Sequence, residues 1–267
     1  MRFFSLALLG GMSSLLLAGE LESLGRQLFF DKRLSSDSSV SCAMCHRPDT
    51  AFADPNPTSR GVGGSRGAFN SPSLLNLQKA TRFFWDGRAS SLEEQAKGPL
   101  LNALEMGNEQ KDLEMRLSLI PEYQLRFHRS FGDSTITLDR IVTAIAAYER
   151  TLKSTHSLYE EWRIGRRQQW TPEHEFGRQL FFGKAGCSHC HSGPNFTNGE
   201  MSSDGNGKSW KVPGLREVIY TAPYMHDGSI PSLTQLLDRH AGGILLNQLE
   251  KHAVIRFLET LSGDYSR

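Results

Sequence analysis

The sequence predicts an all-α protein built from two similar halves, and three observations carry that expectation. The hexapeptide Gly-Arg-Gln-Leu-Phe-Phe occurs at 25–30 and again at 177–182, and each copy runs into a Cys-x-x-Cys-His motif. All four cysteines of the chain, Cys42, Cys45, Cys187 and Cys190, fall in those two motifs. Apolar residues recur at helical spacing in the longest periodic segments, and nothing reads with assurance as a sheet.

The cysteines come first, because they constrain most. Two disulfides or one four-cysteine zinc site would also consume four cysteines. A zinc ribbon separates its pairs by about 15–20 residues, whereas more than a hundred lie between Cys45 and Cys187. Neither alternative needs the histidine that closes each motif. Cys-x-x-Cys-His is the attachment signature of a c-type haem, and its histidine takes one face of the iron. Two covalently bound c-type haems are therefore expected, one on Cys42, Cys45 and His46, the other on Cys187, Cys190 and His191. A hydrophobic content of 38% suits this, since each haem adds a large apolar disc for short helices to pack on.

The remaining segments follow in order. "MRFFSLALLGGMSSLLLAGE" has an early basic residue, an apolar run and small residues at Ala18 and Gly19, which is the pattern of a secretory signal over 1–19. An uncleaved anchor is the alternative, but the run is short of the about 20 residues a span needs. Export to the periplasm also suits haem attachment, which bacteria perform outside the cytoplasm. Two domains are expected, 20–165 and 166–267. In the first, "TLDRIVTAIAAYERTL" spaces Leu138, Ile141, Val142, Ile145 and Tyr148 as a buried helix. The polar run 154–170 reads as a connection. Thr171 and Pro172 mark a helix start before the second hexapeptide. The last helix carries Val254, Phe257, Leu258 and Leu261 on one face, with Gly263 as its stop. The glycine-rich stretches 61–67 and 204–207 read as loops. Basic and acidic residues number 30 and 29, so no charge excess argues for nucleic acid or an anionic membrane as partner.

Seven pieces, which keep the family's order along the chain, carry a family resemblance: "GRQLFFDKRLS", both haem motifs, "FFWDGRASSLEEQAKGPL", "ALEMG", "AIAAYERTL" and "TAPYMHDGSIPSL". Together they resemble the bacterial dihaem cytochrome c peroxidase and MauG superfamily over almost the whole chain after the signal. The resemblance implies two cytochrome-c-like haem domains, the N-terminal one peroxidatic and the C-terminal one transferring electrons. Cleaving the O–O bond of peroxide needs a group that takes a proton from one oxygen and returns it to the other. Glu105 matches that position and Gln95 the residue that orients peroxide, with Pro99 as a distal-pocket proline; a solvated helix face is the plain alternative for the pair. Trp85 matches the tryptophan set between the haems, though it could be a core aromatic. Arg88 could neutralise a haem propionate or lie on the surface. A calcium site is implied at Asn70, by its side chain, and at Thr221 and Pro223, by their carbonyls; Asn before Ser-Pro is otherwise a turn residue.

Two axial positions depart from the pattern. The family often places a histidine in the glycine-rich loop, where it caps the first iron. Here that position is Val62, so the first haem is expected to stay open. Opposite His191 the family uses methionine or tyrosine, and here the matching residue is His240, which predicts a bis-histidine second haem; Met225 or Met201 is the alternative ligand. His226 is expected to support a propionate or an inter-domain contact. Three functions follow: a periplasmic peroxidase fed by a small cytochrome c or cupredoxin, a MauG-like enzyme that oxidises a side chain of a partner protein, or a dihaem electron carrier.

Overall fold

A computed structural model describes residues 7–240 and 246–265, with side chains from residue 17 onward. The first six residues of the expected signal segment lie outside the described residues. The chain is mostly helical. Its elements are α1 (Ala7–Phe30), α2 (Cys42–Cys45), α3 (Leu92–Leu101), α4 (Gln110–Ser118), α5 (Pro121–Phe131), α6 (Leu138–Glu149), β1 (Ser154–Thr155), α7 (Leu158–Arg163), α8 (Pro172–Phe182), β2 (Met201–Ser203), β3 (Ser209–Lys211), α9 (Leu233–Arg239), α10 (Gln248–Glu259) and β4 (Asp264–Tyr265). β1 pairs antiparallel with β4 and β2 with β3, the second pair being a hairpin whose tip is the glycine-rich 204–207 stretch. Strands of two or three residues are too short to show period-two alternation, so no residue pattern marks them. No described helix is long and apolar enough to cross a membrane.

The chain clusters into two compact units. The first comprises the residues up to Cys42, Arg60–Ser65 and Leu92–Thr151; the second comprises Ala43–Ser59, Arg66–Ser91 and Leu152–Arg267. In the first unit α1 crosses α6, and Gly25 sits at the crossing. A Cβ there would lie 1.8 Å from the Ala144 carbonyl oxygen and 3.0 Å from Tyr148 Cβ. Thr137 caps α6 through its side chain, and the buried face of that helix carries the expected Ile141, Val142 and Ile145. Tyr123 and Phe127 of α5 complete the core.

The second unit repeats the device. α8 crosses α10, and a Cβ on Gly177 would lie 1.9 Å from the Ala253 carbonyl oxygen and 2.9 Å from Phe257 Cβ. The glycine of the repeated hexapeptide is therefore the contact that lets two helix backbones touch, and any side chain would part them. Thr171 and His174 form a capping box at the start of α8, and Asn247 and Glu250 form another at α10. Two expectations need correction. α10 ends on Thr260, not on Gly263, which is required elsewhere: its N–H donates to Glu217 at 2.6 Å, and a Cβ would strike the Thr155 carbonyl oxygen. The polar run 154–170 is also more than a connection, since it contains β1 and the Ser157-capped helix α7.

Candidate haem and peroxide sites

Each Cys-x-x-Cys-His motif ends on a histidine held in the same way. His46 Nδ1 lies 3.1 Å from both the Phe52 and the Pro72 carbonyl oxygens. His191 Nδ1 lies 3.2 Å from both the Phe196 and the Pro213 carbonyl oxygens. A ring nitrogen between two carbonyls must carry the proton, so Nε2 is left with its lone pair, the state an iron ligand needs. Burial reinforces this by disfavouring the charged ring: it lowers the pKa of His46 and takes that of His191 to about 4, the latter with a contribution from His240. The residues present thus fit two haems.

The resemblance between the halves extends past the motifs. Residues 72–99 and 213–240 align without a gap, from Pro72 with Pro213 through Leu74 with Leu215, Asp86 with Asp227, Gly87 with Gly228 and Leu92 with Leu233. The backbone repeats as well. Asn76 and Glu217 are both left-handed, as are Phe84 and Met225, and the bridges Phe83–Ala89 and Tyr224–Ile230 coincide. This second repeat was legible as Pro-x-Leu, then Asp-Gly, then Ser-Leu, but its six identities are too scattered to stand out as the hexapeptide does. The matched positions that differ include Trp85 against His226, Gln95 against Leu236, and Pro99 against His240.

His240 closes α9, and its ring centre lies 6.0 Å from that of His191. Two imidazoles bound to opposite faces of one metal, each at about 2.0 Å, place their ring centres roughly 6 Å apart. The pair therefore has the spacing of a bis-histidine haem. Of the alternatives, Met201 sets its sulfur against Gly87, and Met225 packs at the edge of the second unit's core.

In the first unit α3 carries Gln95 and Pro99 one turn apart, on one face. The chain then folds back, with Met106 N–H donating to the Pro99 carbonyl and Asn108 N–H to that of Leu100. Asn102 organises this turn. Its carbonyl accepts from the Glu105 and Gly107 N–H groups, its Oδ1 accepts from Leu104 N–H, and its Nδ2 donates to Glu105 Oε1 at 2.8 Å. The Glu105 carboxylate is thereby fixed to its own turn. Sequence reasoning missed Asn102; an Asn three residues before a candidate acid–base group is the signal that could have found it.

Val62 lies directly on that turn. Its N–H donates to the Glu105 carbonyl at 2.9 Å, and its Cγ2 covers Gly107. Ser65 Oγ adds a bond to the Leu104 carbonyl, and a Cβ on Gly61 would strike the same oxygen. The stretch 61–67 was expected as loop; within it Val62–Gly64 forms a 3₁₀ turn that packs on the Glu105 turn.

The other candidates lie in the second unit. Trp85 is half-buried; its Nε1–H donates to the Asn70 carbonyl at 2.8 Å, and its own carbonyl accepts from Lys211. Arg88 is held by Asp86 and stacks 3.6 Å over Phe84. Asn70 is buried. Its N–H donates to the His226 carbonyl, which brings it against the segment bearing Thr221 and Pro223, and its Nδ2 serves the Asn56 carbonyl, leaving Oδ1 as acceptor. These oxygens are neutral, and among the described residues no three His, Cys, Asp or Glu gather as a metal site. His226 stacks on Trp210 with ring centres 3.8 Å apart.

Paired helix crossings and twin haem motifs mark a haem protein built from two similar units. Residues 19–168 match the family described as di-haem cytochrome c peroxidase. The cytochrome c551 peroxidase of Nitrosomonas europaea is 36% identical, over 92% of this chain and 80% of its own length. The methylamine utilization protein MauG of Methylorubrum extorquens is 34% identical, over 93% and 80%. Among solved structures, a MauG-like protein associated with microbial copper homeostasis superposes with a TM-score of 0.83 at 28% identity, covering 92% of this chain and 90% of that one. The chain belongs to the dihaem cytochrome c peroxidase and MauG family: an all-α protein of two cytochrome-c-like domains, an oxidoreductase acting on peroxide, with two haem cofactors.

Proposed function

We propose that the protein is an exported, periplasmic peroxidase with its two haems covalently attached through Cys42 and Cys45 and through Cys187 and Cys190, in domains 20–165 and 166–267. The net reaction consumes one hydrogen peroxide, two electrons and two protons and yields two waters. When bound, the haems supply the redox-active iron that takes up the oxidising equivalents of peroxide. Gln95 orients peroxide, and the Glu105 carboxylate takes the proton from one oxygen and returns it to the other. With the haems bound, Trp85 would relay charge, His191 and His240 would hold the second haem, and Arg88 would neutralise a propionate. A calcium ion held by Asn70, Thr221 and Pro223 completes the assembly. Electrons come from a small cytochrome c or cupredoxin.

The observation that carries this reading is the Asn102-pinned Glu105 under a glycine-rich segment whose residue 62 is valine. Valine has no atom to offer iron, so the first haem needs no activation step. A resting EPR spectrum with one high-spin and one low-spin haem, and rapid peroxide turnover with reduced cytochrome c in stopped flow, are expected. Two low-spin haems with no peroxide reaction would make the chain an electron carrier. The same valine favours a second reading, a MauG-like enzyme that oxidises a side chain of a partner protein. A long-lived oxidised species that cytochrome c does not quench would select it.

A further inference from the structure

We propose that Tyr159–Trp170, in the second unit, is the docking surface for an acidic one-electron redox protein, and that its aromatic rings are the way in to the second haem. The proposal rests on the reading that this haem receives the donor's electrons.

Four rings form a connected series. Trp162 and Trp170 stack with centres 5.1 Å apart, Trp162 stacks on Tyr159 at 5.7 Å, and Tyr159 meets Phe196 edge-on at 5.2 Å. The series ends at the second iron ligand, because the Phe196 carbonyl accepts from His191 Nδ1. Both tryptophans are half-buried, so one end of the series reaches solvent, while the other is Phe196, whose backbone carbonyl holds the haem histidine.

The surroundings of that outer end select the partner. Arg163, Arg166 and Arg167 are exposed within five residues, with Ile164 65% exposed among them. The acids nearby are already engaged: Glu160 by Arg216, Glu161 by Arg166 and Glu175 by Arg178. No described carboxylate lies within ion-pair distance of Arg163 or Arg167, and Arg167 lies 5.6 Å over the Trp162 ring. An apolar centre of Trp162, Trp170 and Ile164 within a rim of unneutralised arginine fits a partner with carboxylates around an apolar patch. Arginine and tryptophan are also the residue types that dominate binding energy at such contacts. In the step itself the donor's metal centre loses one electron and the second haem gains it, so two donors are oxidised for each peroxide reduced.

The test uses the holoprotein and two probes, reduced plastocyanin as an acidic cupredoxin and a basic mitochondrial cytochrome c. Binding is read by surface plasmon resonance across ionic strengths. Plastocyanin is expected to bind more tightly, with affinity falling as salt rises. The double variant R163E/R167E is expected to weaken that binding about tenfold or more, and unchanged haem spectra report that it has folded. Arg129→Glu, which reverses one exposed charge in the first unit, is expected to leave it alone. Trp162→Leu is expected to slow electron transfer within the bound complex. Tighter binding of the basic cytochrome, or equal losses in R163E/R167E and Arg129→Glu, would overturn the proposal. Failure of peroxide turnover with every reductant would refute the peroxidase reading instead, since the binding results do not depend on turnover.

Discussion

Residues 72–99 and 213–240 share one backbone and, in the proposed function, divide the work. Both start on the proline whose carbonyl helps to hold a haem histidine, and both turn through a left-handed residue, Asn76 or Glu217, into a bridged Asp-Gly loop and a helix. The differences lie in side chains on the helix face that follows. The first copy has Gln95 and Pro99 and leads into the Glu105 turn; the second has Leu236 and His240. A polar side chain and a residue unable to bind iron suit an open site that handles protons. An apolar side chain and an imidazole suit a closed site that handles only electrons. In the proposed function these two differences mark the separation of peroxide chemistry at the first haem from conduction at the second.

The largest effect that would break this division is expected from Glu105→Gln. The amide keeps the shape and loses the proton shuttle, so the rate of reaction with peroxide should fall by about a hundredfold or more in stopped flow. A rate within a few-fold of the parent would show that Glu105 is not the acid–base group.

Next come the exchanges between the two copies. Pro99→His should convert the first haem from high-spin to low-spin, and His240→Ala should do the reverse at the second, each read by EPR and visible absorption. If His240→Ala leaves the low-spin signal intact, the second ligand is another residue, and the matched positions 99 and 240 do not share a role.

A smaller effect is expected from Asn102→Asp. Aspartate keeps the side-chain acceptor for Leu104 N–H but loses the donor to Glu105. Reaction with peroxide should slow about tenfold, in line with the loss of one hydrogen bond to a charged group, while both haem spectra stay as they are. A spectral change would mean that Asn102 holds the fold and not the carboxylate.

What could be read from the sequence followed the length scale of the cause. Helix periodicity and the Cys-x-x-Cys-His motifs are local, so α6, α8, α10 and both haem histidines were legible. Gly25 and Gly177 were visible as a repeat, but their reason, a carbonyl on a helix over a hundred or some seventy-five residues away, emerges only from packing. The same holds for the Val62 contact with the Glu105 turn, which joins segments about forty residues apart. The aromatic series from Trp162 to Phe196 was missed because its rings come from three segments with no common period. Family resemblance drew attention to Gln95, Glu105 and His240; their spacing alone would not have done so.

The smallest effect tests whether the helix crossings differ as the haem-facing helices do. Ala144 and Tyr148 of α6 meet Gly25 as Ala253 and Phe257 of α10 meet Gly177, which aligns Glu149 with Leu258. Glu149 is buried, its Oε2 has no hydrogen-bond partner, and burial pushes its pKa from an ordinary 4.5 up to about 8 against the pull of Arg150. The folded chain then keeps this proton up to about pH 8, while the unfolded chain releases it near 4.5. Between those values the unfolded state binds fewer protons, so stability falls as pH rises, by at most about 1.4 kcal/mol per pH unit. Glu149→Gln removes the titration. Its denaturation midpoint should exceed that of the parent at pH 8, and the gap should narrow towards pH 5. Parallel pH profiles for the two proteins would show that Glu149 is solvated or paired and that the crossings do not differ in this respect.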